Sequence, residues 1–154
     1  MNKARIIAVD PKKCTGCDLC RLACSFAKEG TFNPRRSRIT ITRGDREGFA
    51  PRLCRDCQEP PCLDACPAGA IVRRTEDGRI TLLEQKCRGC NMCVMVCPFG
   101  AIGRAGGANF ACDSCGDLAR CAEACPHGAI RFVVAGDESR RKRRALAGRL
   151  TEWM

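Results

Sequence analysis

The sequence predicts an α+β fold: two nested modules of short strands and short helices built around cysteine-rich loops, followed by a C-terminal helix. Three observations predict it. Sixteen of the 154 residues are cysteine, and they fall into four groups of four. The last three groups each end in the same phrase, Cys-Pro-x-Gly-Ala-Ile. Strand-like segments open and close the cysteine-bearing stretch.

The elements follow in chain order. Arg5-Ile6-Ile7-Ala8-Val9 reads as a strand. The first group, Cys14-Cys17-Cys20-Cys24, has the spacing C-x2-C-x2-C-x3-C and no following proline, because Cys24 runs into Ser25-Phe26-Ala27-Lys28. A spacer of 29 residues leads to Cys54. It holds a turn at Asn33-Pro34-Arg35-Arg36 and an alternating run, Ser37 to Thr42, that reads as a strand. The second group, Cys54-Cys57-Cys62-Cys66, stretches the middle gap to four residues. Two short runs then flank Asp77-Gly78, a hairpin signal. The third group, Cys87-Cys90-Cys93-Cys97, returns to the first spacing. Gly103-Arg104-Ala105-Gly106-Gly107 reads as a connector and not as a nucleotide loop, since it lacks the full glycine pattern after a strand. The fourth group, Cys112-Cys115-Cys121-Cys125, has a middle gap of five. Ile130-Arg131-Phe132-Val133-Val134 is again strand-like. In each Cys-Pro phrase, proline fixes φ and glycine permits a tight turn.

The cysteine spacing is the ligand run of bacterial-type ferredoxins, in which thiolates hold a [4Fe–4S] cube. Sixteen thiolates at four per cube give four [4Fe–4S] clusters. In two-cluster ferredoxins the last cysteine of each run ligates the other cluster. A small ferredoxin also pairs the strand before its first cluster loop with the strand after its last, so the opening and closing strands are expected to pair. The first and fourth groups then form one bacterial-ferredoxin-like module, residues 1–50 with 104–136. Residues 51–103 form a second such module inserted within it. The swap gives cluster 1 on Cys14, Cys17, Cys20 and Cys125. Cluster 2 takes Cys112, Cys115, Cys121 and Cys24. Cluster 3 takes Cys54, Cys57, Cys62 and Cys97, and cluster 4 takes Cys87, Cys90, Cys93 and Cys66.

Bland alternatives are set aside on chemistry. Zinc uses paired CxxC ligands and has no need of a third and fourth cysteine in each run. A disulfide scaffold is expected in secreted chains, and Met1 to Asp10 shows no signal peptide. The formal charge of +10 would suit nucleic acid. Each oxidised cube with its four thiolates carries roughly −2, so four of them bring the total to about +2. No nucleic-acid reader motif is present, and nucleic acid is not an expected partner. No apolar run approaches the ~20 residues of a membrane span, and a cytoplasmic location is expected. The only histidine, His127, sits in a Cys-Pro loop and reads as a solvent-facing residue, not a proton relay. Every cysteine is committed to a cluster, so no nucleophile is left for catalysis. The chain is expected to move electrons and not to be an enzyme. Arg21, Arg55, Arg88 and Arg120 near the cluster loops would raise some potentials.

Residues 137–154 are expected to form a basic C-terminal helix. Leu146, Leu150, Trp153 and Met154 share one of its faces. That face is expected to rest on the protein's own body or on a partner subunit, with a disordered tail as the third reading.

With all four groups in view, the chain resembles the four-cluster iron–sulfur subunits of molybdenum and tungsten oxidoreductases, hydrogenases and carbon-monoxide dehydrogenase systems. The stretches Cys54 to Pro67 and Cys87 to Gly100 carry the likeness. The opening, from Cys14-Thr15-Gly16-Cys17 through Cys24-Ser25-Phe26-Ala27-Lys28-Glu29-Gly30 to Arg38-Ile39, is similar to the small subunits of tungsten aldehyde oxidoreductases. The resemblance implies the same nested pairing, first group with fourth and second with third. It implies a catalytic metal–pterin partner subunit, then a flavin subunit, a soluble carrier or another enzyme as acceptor; the number of copies per complex, one or more, is left open by the sequence. A freely diffusing polyferredoxin serving a hydrogenase, formate or CO dehydrogenase is the competing reading.

Overall fold

The computed structural model describes residues 5–44, 48–105, 107–134 and 136. The predicted C-terminal helix, residues 137–154, lies outside the described residues. The described elements are β1 (Arg5–Val9), α1 (Leu19–Glu29), β2 (Thr40–Gly44), β3 (Gly48–Arg52), α2 (Pro61–Asp64), β4 (Ile71–Arg73), β5 (Ile80–Leu82), α3 (Met92–Val96), β6 (Gly103–Ala105), β7 (Ala108–Phe110), α4 (Arg120–Glu123) and β8 (Ile130–Val134).

The strands form two-stranded antiparallel ribbons, β1 with β8, β2 with β3, β4 with β5 and β6 with β7. The first and last described strands therefore pair, in register from Arg5 opposite Val134 to Val9 opposite Ile130. Both are rich in β-branched residues, which suit a pleated, half-buried surface. Ile7, Ala8, Val9 and Ile130 are buried.

Helix length follows the prolines. The residue before a proline is pushed out of the α region, so a helix ends there or earlier. α2, α3 and α4 stop just short of Cys66-Pro67, Cys97-Pro98 and Cys125-Pro126 and are 4, 5 and 4 residues long. Nothing stops α1 at Cys24, and it continues to Glu29 for 11 residues. Cys20 and Cys24 lie four apart on its buried face. α1 packs on α4, and α2 packs on α3.

The apolar interior is split. One core gathers Ile7, Val9, Ile39, Leu53, Ala119 and Ile130 with Cys20, Cys24, Cys112 and Cys121. The other gathers Ile71, Ile80 and Ile102 with Cys93. Cys54 packs against both.

Two local expectations need revision. The Asp77-Gly78 hairpin forms, but its strands end at Arg73 and begin again at Ile80. The Arg74 N–H donates to the Arg79 carbonyl at 2.8 Å, and Asp77 Oδ1 accepts the Arg79 N–H, so the turn is wider than two residues. The supposed connector at 103–107 opens a hairpin, with Gly103 opposite Phe110. A boundary between residues 103 and 104 would fall inside β6. β3, which carries Pro51, has no alternating pattern and was not foreseen. Among the described residues, no helix is long and apolar enough to cross a membrane.

Candidate cluster-binding sites

Each cysteine group is a loop running into a helix, and its turn is left-handed. The residue before the second cysteine has positive φ in all four: Gly16 at 72°, Asp56 at 47°, Gly89 at 66° and Ser114 at 57°. At Gly89 a side chain is excluded twice over, because a Cβ would also meet the Gly107 carbonyl oxygen at 2.5 Å. This turn folds the first cysteines of each run around a common point.

The sulfurs come together across the groups. Cys14, Cys17, Cys20 and Cys125 line one cavity, with the exposed His127 also on its wall. Burial pushes the Cys20 thiol up to about 12, with Cys125, Cys14 and Cys17 adding repulsion. Cys54, Cys57, Cys62 and Cys97 line a second cavity, otherwise walled by apolar residues such as Pro61, Ile71, Ile80 and Leu82. Burial raises the Cys54 thiol to about 12. Burial also raises Cys62, helped by Cys97 and Cys57.

Cys121 is pushed up to about 12 by burial, then by Cys24, Cys115 and Cys20. Cys112 is raised well above its ordinary value by burial, with Cys121, Cys24 and Cys54 adding to it. Cys93 is raised by burial and, more weakly, by Cys66 and Cys87. Cys90 is exposed, as is Cys17.

Two of these couplings reach beyond a single four. Cys20 acts on Cys121, and Cys54 acts on Cys112. Cys20, Cys24, Cys112 and Cys121 share one core, and Cys54 packs against both that core and the one that holds Cys93.

Thiols gathered between apolar walls are disfavoured as thiolates. Ionised, they repel one another in a medium that solvates them poorly. Iron removes that cost, since a coordinating thiol is deprotonated and balanced by metal charge. Among the described residues, no three His, Cys, Asp or Glu side chains lie close enough to hold a single metal ion. The cysteines that line the two cavities are the donor type an iron–sulfur group takes.

N–H groups also point at sulfur. Ala70 and Ala101 N–H donate to Cys66 Sγ at 3.2 Å and Cys97 Sγ at 3.4 Å. Both lie in Cys-Pro-x-Gly-Ala phrases, where the chain curls back over its own cysteine. At Cys66, burial works to raise the thiol, but backbone N–H groups from Ala70, Ile71, Ala68 and Gly69 outweigh it and leave the pKa lowered. Cys24 has no such phrase. Its sulfur accepts from the N–H of Arg38 at 3.3 Å, fourteen residues on. The Ser114 N–H reaches Cys112 Sγ at 3.5 Å.

Several contributors carried no sequence signal. Asn109, on β7, is 1% exposed and donates its Nδ2 to Cys93 Sγ at 3.4 Å. Asp56 Oδ1 accepts the Ile80 N–H at 3.0 Å and lies 3.9 Å from Cys54 Sγ. Three of the loop arginines are already engaged: Arg21 with Asp18, Arg120 with Glu123, and Arg55 over the Phe99 ring.

This fold and these sites define an iron–sulfur protein of ferredoxin type. The 4Fe-4S dicluster domain family matches residues 46–135, and the 4Fe-4S binding domain matches residues 11–27. The chain belongs to the 4Fe-4S dicluster domain family, binds [4Fe–4S] clusters and is an electron-transfer subunit of the kind found in oxidoreductase complexes. It is 40% identical over 138 residues to the NADH-dependent phenylglyoxylate dehydrogenase subunit beta of Aromatoleum evansii. The match covers 85% of this chain and 30% of that relative. It is 37% identical over 134 residues to the polyferredoxin-like subunit of the aliphatic sulfonate oxidoreductase of Pyrococcus furiosus, covering 83% of this chain and 77% of the relative. A chain of the active site complex BamBC of benzoyl coenzyme A reductase, solved with benzoyl-CoA, shares the fold. It has a TM-score of 0.50 and 22% identity, covering 93% of this chain and 89% of that one.

Proposed function

We propose that the chain relays single electrons through four [4Fe–4S] clusters held by the nested cysteine sets, within a discontinuous outer module and an inserted inner one. When bound, a cube accepts and releases one electron at a time. The observation that carries the reading is that cysteines of different groups line the same cavities and share cores. Cys20 shares a core with Cys112 and Cys121, and Cys54 packs against that core and the one around Cys93, which supports the order cluster 1, cluster 2, cluster 3, cluster 4. The exposed Cys17 and Cys90 belong to the two ends of that order. Electrons enter at one end and leave at the other, and the apolar walls keep water from the middle.

The partner is a catalytic metal–pterin subunit, of the tungsten aldehyde oxidoreductase type. It oxidises its substrate by two electrons, and this chain takes them one by one. A flavin subunit or soluble carrier accepts them at the far end, in a cytoplasmic complex that holds more than one copy of the chain. Support comes from the opening segment, Cys14 to Ile39, and from the coverage of a polyferredoxin-like oxidoreductase subunit. Exposed apolar side chains favour a permanent subunit over a freely diffusing carrier. Phe26 and Phe32 stack at 4.7 Å and line one groove with Leu118 and Cys115. Met95, next to the third group, is 79% exposed. Apolar patches of this kind mark interaction sites.

Anaerobic native purification tests the reading. The chain is expected to co-purify with a subunit that contains pterin and tungsten or molybdenum. Recovery of the chain alone, monomeric and fully loaded with iron, would favour the diffusing polyferredoxin.

A further inference from the structure

Asn109 is a buried amide whose position packing does not explain. It is 1% exposed, and its neighbour in sequence, Phe110, is also buried. An apolar side chain of similar volume would fill the place without burying polar atoms. Instead the Oδ1 of Asn109 is buried without a hydrogen-bond partner. An unsatisfied buried acceptor costs about 1–3 kcal/mol. The other half of the amide faces a cysteine: Nδ2 donates to Cys93 Sγ at 3.4 Å.

That bond differs in kind from the others at sulfur. Cys24, Cys66, Cys97 and Cys112 accept from backbone N–H groups, which almost any residue supplies. Among the described residues, Cys93 alone accepts a hydrogen bond at sulfur from a side-chain amide. The direction of the effect follows from charge. A donor to sulfur stabilises whichever state carries more negative charge on it, and that is the reduced state.

We infer that Asn109 is a tuning residue that raises the reduction potential of the cluster held by Cys66, Cys87, Cys90 and Cys93. This rests on the four-cluster reading above. It makes that cluster a more favourable resting place for an electron than it would be without the amide.

The test uses the full chain, loaded and handled anaerobically. The relevant signal in an EPR-monitored redox titration is the one that Cys90→Ser perturbs. In Asn109→Leu, its reduced-to-oxidised ratio at fixed potential is expected to fall about tenfold, a downward shift of about 59 mV for one electron. The signals of the other clusters stay in place. An Asn109→Leu chain with full iron and sulfide content and an unmoved potential overturns the proposal. Should that variant lose iron, hyperfine coupling in the otherwise native chain decides. The sample carries 15N in its asparagine side-chain amides, in an Asn91→Gly background so that the only other asparagine beside this loop is gone. A 15N coupling on that signal supports the proposal, and its absence overturns it. An iron count far short of four cubes in the native chain would sink the four-cluster reading instead, so the two failures are distinguishable.

Discussion

Cys24 is the residue on which the nested pairing turns. It sits in α1 with the first group, yet Cys121 and Cys112 are the thiols it acts on. Cys24→Ala is expected to abolish the same EPR signal that Cys115→Ala abolishes and to spare the signal lost in Cys17→Ala. A Cys24→Ala spectrum matching that of Cys17→Ala would contradict the swap. Gly89 offers a second test. Gly89→Ala meets both a left-handed backbone and the Gly107 carbonyl, whereas Gly69→Ala, at φ 56°, meets open space. Gly69→Ala is expected to cost about 1–2 kcal/mol. Gly89→Ala is expected to cost more, seen as a lower denaturant midpoint for loss of cluster absorbance. Equal midpoints would show that the Gly107 contact relaxes freely. At this scale the ligands were legible because their spacing is local and repeated. Asn109, Asp56 and Arg79 were not. Each is a single polar residue with no period, buried or half-buried by segments distant in sequence.

Between elements, arginines fasten segments distant in sequence through ion pairs, hydrogen bonds and ring contacts. Arg79, whose side chain is 6% exposed, follows the turn between β4 and β5. It donates to the Arg5 carbonyl on β1 and to Asp117 after Cys115, and it lies over the Phe132 ring of β8. Arg38 similarly joins Glu29 at the end of α1 to Glu84 before the third group. Part of the basic excess thus serves as internal fastening and not only as a counterweight to anionic clusters. Arg79→Met removes charge-assisted hydrogen bonds worth about 1.5–3 kcal/mol. Its expected outcome is a lower midpoint for cluster loss, and an unchanged midpoint would deny Arg79 that role. The opening and closing strands, the Asp77-Gly78 hairpin and the turn at Pro34 were legible from alternation and turn residues. The hairpin of β6 and β7 was hidden by glycines that read as a connector. The length of α1 was implicit in the missing proline after Cys24.

For the whole molecule, cysteines stand in both cores where larger apolar side chains would otherwise be needed. Folding and cluster assembly are therefore expected to be one event. Stripping iron with a chelator under oxidising conditions should remove the far-UV circular dichroism along with the visible absorbance. A stripped chain that kept its dichroism would show that the apolar residues suffice. The central claim is that sixteen cysteines in a row of four sets hold four cubes. Iron and acid-labile sulfide analysis of the anaerobically purified chain tests it most directly. Four cubes require about sixteen irons and sixteen sulfides per chain. A content well under about twelve irons, or iron replaced by zinc without sulfide, would contradict it.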